Sequence, residues 1–198
     1  MNTLAIKIVN RITCLTNEKY TRDDMEVYYY GMICLLNQLC VNTIIAVWAI
    51  ITHCFYETMF FLLVFTFLRH HAGGYHAKTN EQCVLFSSLI GMSLKIVLNY
   101  SNFIVSLRMP IILLSLFWGF LLAPIDSKKI ELSRLQKIYE KCITILIIFL
   151  YSIVSNYAPS YYSIAILYSL LIVSFLMILS ILKTHLNKVN FRRRNLFL

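Results

Sequence analysis

The chain has 198 residues, 59% of them hydrophobic and 14% charged, with 18 Lys and Arg against 9 Asp and Glu. A mean hydropathy of +0.71 with so little charge excludes a soluble enzyme and a disordered chain alike. The net charge of +9 would suit nucleic acid if it covered a polar face. Here it sits in a few stretches between apolar runs, which describes an all-α polytopic membrane protein.

Residues 1–26 place Leu4, Ile8, Ile12 and Leu15 at helical spacing, with Lys7, Arg11 and Lys19 elsewhere. This pattern predicts an amphipathic helix lying on the membrane surface. Lys7 and Arg11 interrupt any apolar core of a cleavable signal, so none is expected. The first apolar run, from about Val27 to Thr52, exceeds the ~20 residues that cross a bilayer. A polar break at His53–Thr58 leads to Met59–Leu68, a run of about 14 residues even with Phe55 and Tyr56 added. At 1.5 Å per residue that is about 21 Å, short of a ~30 Å hydrocarbon core. The segment therefore borrows residues from its flanks or enters only part way.

After the polar stretch Arg69–Gln82 come Cys83–Leu98, then Phe103–Ala123, whose core is expected to start near Pro110. The basic segment 124–141 follows, then Cys142–Val154 and the long run Tyr161–Leu182. This makes six apolar segments, at least four of them full spans, in a single membrane-embedded domain over 1–198. With the N-terminus inside, regions 1–26, 69–82, 124–141 and 183–198 hold 16 of the 18 positive residues. Both termini are accordingly expected in the cytoplasm, leaving only Lys95 and Arg108 on the outer side. The six cysteines form no close-spaced pair and read mostly as small apolar residues within helices.

Chemistry concentrates in Arg69-His70-His71-Ala72-Gly73-Gly74-Tyr75-His76-Ala77-Lys78-Thr79-Asn80-Glu81-Gln82-Cys83, which holds three of the chain's five His and two of its five Gly. A thiol nucleophile needs an imidazole to take its proton. Cys83 is expected near a helix N-terminus, where the macrodipole favours negative charge. On one continuous helix His76 and Cys83 would stand about 10.5 Å apart, too far for a hydrogen bond, so the residues between them must fold back. Thr79 and Asn80 are candidate N-caps, Gly73-Gly74 permits a tight turn, and N–H groups freed there could serve an oxyanion. Two other readings stand beside catalysis. His70, His71, His76 and Cys83 include common metal ligands, although neither HxxxH nor CxxC spacing accompanies them. The loop could also be simply interfacial, its histidines tolerating a half-wet setting.

The Gly-Gly-x-His-Ala core, the His-x6-Cys spacing, and Pro124 followed by Lys128-Lys129 resemble the accessory gene regulator protein B family, AgrB. Size, basic balance and hydropathy agree along essentially the whole chain. The resemblance implies a membrane cysteine endopeptidase of Gram-positive quorum sensing. Such an enzyme removes the C-terminal tail of a small precursor peptide through an acyl-enzyme thioester and promotes closure to a thiolactone or lactone. It implies Cys83 as nucleophile and His76 as general base, with no cofactor or metal. Arg69, Gly73 and Gly74 match other motif positions, with Arg69 suited to positioning substrate; His70 and His71 fall where members vary. The implied partners are the lipid bilayer, a second copy of the chain, and a precursor with an amphipathic leader and an acidic tail. Lys128 and Lys129 could attract that tail, unless they serve only as positive-inside anchors. A transporter or permease, or a metal-binding membrane protein, is the competing expectation.

Overall fold

The computed structural model describes residues 2–16, 20–74, 79–125 and 133–195, with side chains for 3–15, 20–74, 79–125 and 133–183. Among these residues the chain forms eight helices and no strand: α1 Asn2–Thr16, α2 Arg22–Ile51, α3 Phe55–Ala72, α4 Asn80–Asn99, α5 Ser101–Ser106, α6 Arg108–Leu122, α7 Arg134–Tyr157 and α8 Ser160–Asn195. The apolar segments fall on helices, the fourth of them divided between α5 and α6, and α1 takes up most of the amphipathic stretch. α2, α4, α7 and Ser160–Lys183 of α8 are long and apolar enough to cross a membrane. The protein is an all-helical membrane protein. Its short second segment does recruit its flanks: α3 has 18 residues, about 27 Å, and takes in Glu57 at one end and Arg69, His70 and His71 at the other.

Local sequence explains where the helices begin. α2, α4 and α7 each follow a Ser or Thr whose side chain meets the backbone three residues on. Thr21 Oγ1 accepts from Asp24 N at 3.3 Å, while Asp24 Oδ2 accepts from Thr21 N at 3.0 Å. Thr79 Oγ1 accepts from Gln82 N at 3.3 Å. Ser133 and Gln136 make the full reciprocal pair. Each cap gives a partner to one of the first N–H groups, which have none within the helix. α3 and α6 start without a side-chain cap. The fourth apolar segment is broken at Leu107 into α5 and α6, and Pro110 occupies the first turn of α6, where its missing N–H leaves no bond unmade.

The chain divides into two units. In the first, Met1–Ile51 with Ala77–Met92, α1 buries Ala5 and Val9 completely or nearly so, and Tyr29 Oη donates to Asn10 Oδ1 at 2.5 Å. Leu4, Ile12 and Leu15 stay exposed, as an interfacial helix requires. Along α2, Val41, Ile45 and Ala49 form the buried stripe. Ile45 lies so close over Gly91 of α4 that a Cβ there would stand 2.3 Å from its Cδ1. The absence of a side chain at Gly91 is what admits Ile45.

The second unit, Thr52–His76 with Ser93–Leu198, is built around α8. Ile164, Ala165, Leu167 and Leu170 have no exposed surface. Val64, Leu68 and Ala72 of α3, Ile111 and Ile112 of α6, and Ile147 and Ile148 of α7 join Leu167 and Leu170 in one apolar cluster. Its polar groups are paired: Ser174 Oγ donates to Leu170 O at 2.8 Å and lies 3.2 Å from Ser115 Oγ, and Tyr151 Oη donates to Val64 O at 3.2 Å. Unpaired polar groups in such a setting are costly.

Candidate functional site

Cys83 is the fourth residue of α4. Its N–H closes the first helical turn onto Thr79 O at 3.1 Å, and the Thr79 side chain caps the N–H just before it. The expected N-cap is therefore Thr79, with Asn80 opening the helix. Cys83 is half-buried, which leaves its sulfur reachable while fixing the backbone that carries it. On α2, Tyr30 lies within electrostatic range of both Cys34 and Cys83. In the sequence, Tyr30 and Cys34 are inconspicuous within the apolar run Val27–Thr52. The available signal was their four-residue spacing, which stacks them on one face.

The second unit holds the other half of the motif. α3 carries Arg69, His70, His71 and a fully buried Ala72, then ends at Gly73 with φ +73° and Gly74 with φ +147°. Gly73 N donates to Arg69 O at 3.0 Å, and Ile125 N donates to Ala72 O at 3.2 Å, closing a parallel bridge between Gly73 and Ile125. A Cβ on Gly73 would meet Ile125 O at 2.6 Å. Glycine is required at this position twice over, by backbone sign and by close approach. The expectation of free N–H groups at the turn needs correction for Gly73, whose N–H is already engaged. The turn fastens the end of α3 to the residue from which segment 126–132 departs.

Arg69 places its guanidinium 5.7 Å from the centre of the Phe65 ring. His71 Nδ1 lies 2.6 Å from Glu140 Oε2, linking α3 to α7, and the His71 ring stands edge-on to both Phe67 and His70. Sequence reading gave Glu140 no role, because a pair 69 residues apart has no local signature. Lys141 sits 4.6 Å over the Phe120 ring. His76, Lys128 and Lys129 lie outside the described residues. Among the described ones, no three His, Cys, Asp or Glu side chains gather as a metal cluster would need.

Comparison with known proteins adds two findings. The family model described as Accessory gene regulator B matches residues 4–181. Protein FsrB of Enterococcus faecalis is 28% identical over 137 residues, a match covering 65% of this chain and 54% of that protein, so it spans about half of the relative's length. No solved structure matches.

Proposed function

The chain belongs to the accessory gene regulator B family, and from that premise we propose that it is a membrane cysteine endopeptidase of a quorum-sensing system. Its substrate is a small precursor peptide with an amphipathic leader and an acidic C-terminal tail. The observation that carries this reading is the family match over 4–181, which contains the whole Arg69–Cys83 motif and its Cys83 on the capped first turn of α4.

His76 takes the proton from the Cys83 thiol, and the sulfur attacks the carbonyl of the peptide bond before the tail. The bond to the tail nitrogen breaks, the tail leaves with the proton returned by His76, and a thioester holds the remaining peptide on Cys83. A Cys or Ser within that peptide then attacks the thioester carbonyl, the ring closes, and the Cys83 thiol is regenerated. Cys83 lies in the first turn of α4, where the helix dipole favours negative charge on the sulfur. A site shielded by the membrane restricts water, which favours ring closure over hydrolysis.

Arg69 positions substrate, with the Gly73-Gly74 turn setting the end of the helix that carries it. Lys128 and Lys129 follow Ile125 by three and four residues and attract the acidic tail; the Gly73–Ile125 bridge supports this by fixing the start of that basic segment to the end of α3. Both termini face the cytoplasm, and the enzyme works as a homodimer. The test is co-expression with the precursor and mass analysis of the peptides. Cys83→Ala and His76→Ala are each expected to abolish tail removal at unchanged membrane levels. Tail removal that persists in Cys83→Ala ends this reading, and cleavage lost on chelation points to the metal alternative instead.

A further inference from the structure

Arg108 opens α6 at the end of the second unit opposite the Gly73–Ile125 turn, where α7 ends and α8 begins. Its Nη1 donates to Asn156 Oδ1 at 2.9 Å and its Nη2 to Ser163 Oγ at 3.3 Å. Both acceptors are themselves tied down. Asn156 Nδ2 donates to Ser152 O at 3.0 Å, and the buried Ser163 hydroxyl donates to Ser155 O at 2.8 Å. Each therefore spends its donor on α7 and turns its oxygen to Arg108. The Arg108 side chain is half-buried, and its Nε is buried with no hydrogen-bond partner among the described residues.

None of these partners carries a charge. The described side chains of this unit include two carboxylates, Glu57 and Glu140; Glu140 pairs with His71, and neither pairs with Arg108. A guanidinium taken out of water without an opposite charge is costly. Two of its five N–H groups are used, and the rest form a planar fork that fits the oxygens of a phosphate. The depth of the cluster names the source of that phosphate. Tyr157 follows Asn156, Tyr161 precedes Ser163 by two residues, and both are exposed, as are Tyr100 and Phe103 at α5. Exposed aromatic residues at helix ends mark the boundary between hydrocarbon and water, the level at which lipid headgroups lie.

We propose that Arg108, held by Asn156 and Ser163, binds the phosphate of an anionic phospholipid such as phosphatidylglycerol. The phosphate supplies the negative charge that the cluster lacks and accepts from the Nη hydrogens that Asn156 and Ser163 leave unused. A choline headgroup brings its own cation to the phosphate and competes with Arg108, so the site favours lipids without one. Because the same guanidinium sits on α6 and bonds to α7 and α8, the bound lipid secures all three helices at this end.

The experiment uses the full chain in a neutral detergent, titrated with phosphatidylglycerol, phosphatidylcholine or inorganic phosphate. Native mass spectrometry counts the retained lipids and thermal unfolding reads the stabilisation. The wild-type protein is expected to retain phosphatidylglycerol in preference to phosphatidylcholine, and to unfold at a higher temperature as it binds. Arg108→Gln keeps hydrogen bonding but not the charge. It is expected to bind one lipid about tenfold more weakly, the size of one lost charge-assisted hydrogen bond, at unchanged helicity. Arg108→Lys keeps the charge without the fork, and is expected to bind that lipid with intermediate affinity. A wild type that does not distinguish the two lipids overturns the proposal, whatever becomes of the variants. So does equal retention of phosphatidylglycerol by the wild type and a folded Arg108→Gln, which places the lipid at other basic residues. Stabilisation by inorganic phosphate equal to that by phosphatidylglycerol also overturns it, and assigns the cluster to a soluble anion.

Discussion

α2 and α8 are both apolar helices of spanning length, yet they treat their surfaces in opposite ways. The most apolar stretch of α8 is 61% buried, and that of α2 is 17% buried. Three buried serines of α8 return their hydroxyls to backbone carbonyls: Ser169 to Ala165 O and Ser174 to Leu170 O one turn back, and Ser163 to Ser155 O on α7. A small hydroxyl satisfied by a nearby backbone carbonyl can be buried at little cost. α2 instead carries carboxamides and a thiol, partly exposed and partly unpaired. An exposed Leu on a spanning helix needs no explanation, because lipid is as apolar as a protein core; an exposed Gln does. α8 is the mast of its unit, and α2 presents chemistry.

Paired truncations test that contrast most severely. Leu170→Ala in α8 removes side-chain volume from a site with no exposed surface and is expected to cost about 2–5 kcal/mol. Leu39→Ala in α2, at a position 55% exposed, is expected to cost under about 1 kcal/mol, because no tightly packed cavity is left behind. Thermal unfolding in one detergent, read by helicity, compares the two. Equal losses would mean that α2 is covered in the membrane by something its own unit does not supply.

The turn after α3 gives a second, smaller contrast. Gly73→Ala meets both a left-handed backbone and Ile125 O at 2.6 Å, so a loss of about 2–3 kcal/mol is expected. Gly74→Ala meets only Leu176 Cβ at an ordinary 3.6 Å, and its cost is expected to be the smaller, from its φ of +147° alone. Cleavage and unfolding midpoint should fall together in Gly73→Ala, since the same turn holds the end of α3 and the start of the basic segment. Of intermediate size is the link between α3 and α7. Glu140→Gln exchanges a charge-assisted bond on a half-buried His71 for a neutral one, with an expected loss of about 1 kcal/mol in the same unfolding experiment.

How much of this was legible in the sequence follows from the range of each interaction. Hydropathy located the four helices long and apolar enough to cross a membrane, because such a helix is written in consecutive residues. The second segment's reach into its flanks was readable from its length alone. Helix starts are legible where a cap is local, as at Thr79; the equivalent Thr21-x-x-Asp24 is masked by the charges of Arg22, Asp23 and Asp24, with which α2 begins. α8 runs on to Asn195 through the basic tail, since Lys, Arg and Asn do not break a helix and only the hydropathy ends at Leu182. The pairing of His71 with Glu140 and the seating of Gly73 on Ile125 were not legible. Each joins residues some fifty to seventy positions apart, and only the packing of α3, α6 and α7 around α8 brings them together.

The mildest prediction bears on the site itself. Thr79→Ala removes the side chain that accepts from Gln82 N, a cap whose loss typically costs about 1 kcal/mol. In α8 a loss of that size would be shared across a large buried surface. In α4 it falls on the single turn that carries Cys83, whose own N–H bonds to Thr79 O. Hydrogen exchange at residues 80–83 should therefore rise several-fold while the global unfolding midpoint moves little. The cleavage rate should fall only a few-fold, because the backbone bond to Thr79 O survives the substitution. Thr79→Ser keeps the accepting oxygen and should restore both readouts. If exchange rises and cleavage does not change, the order of that turn is irrelevant to the thiol, and the capped start of α4 is a structural boundary rather than part of the site.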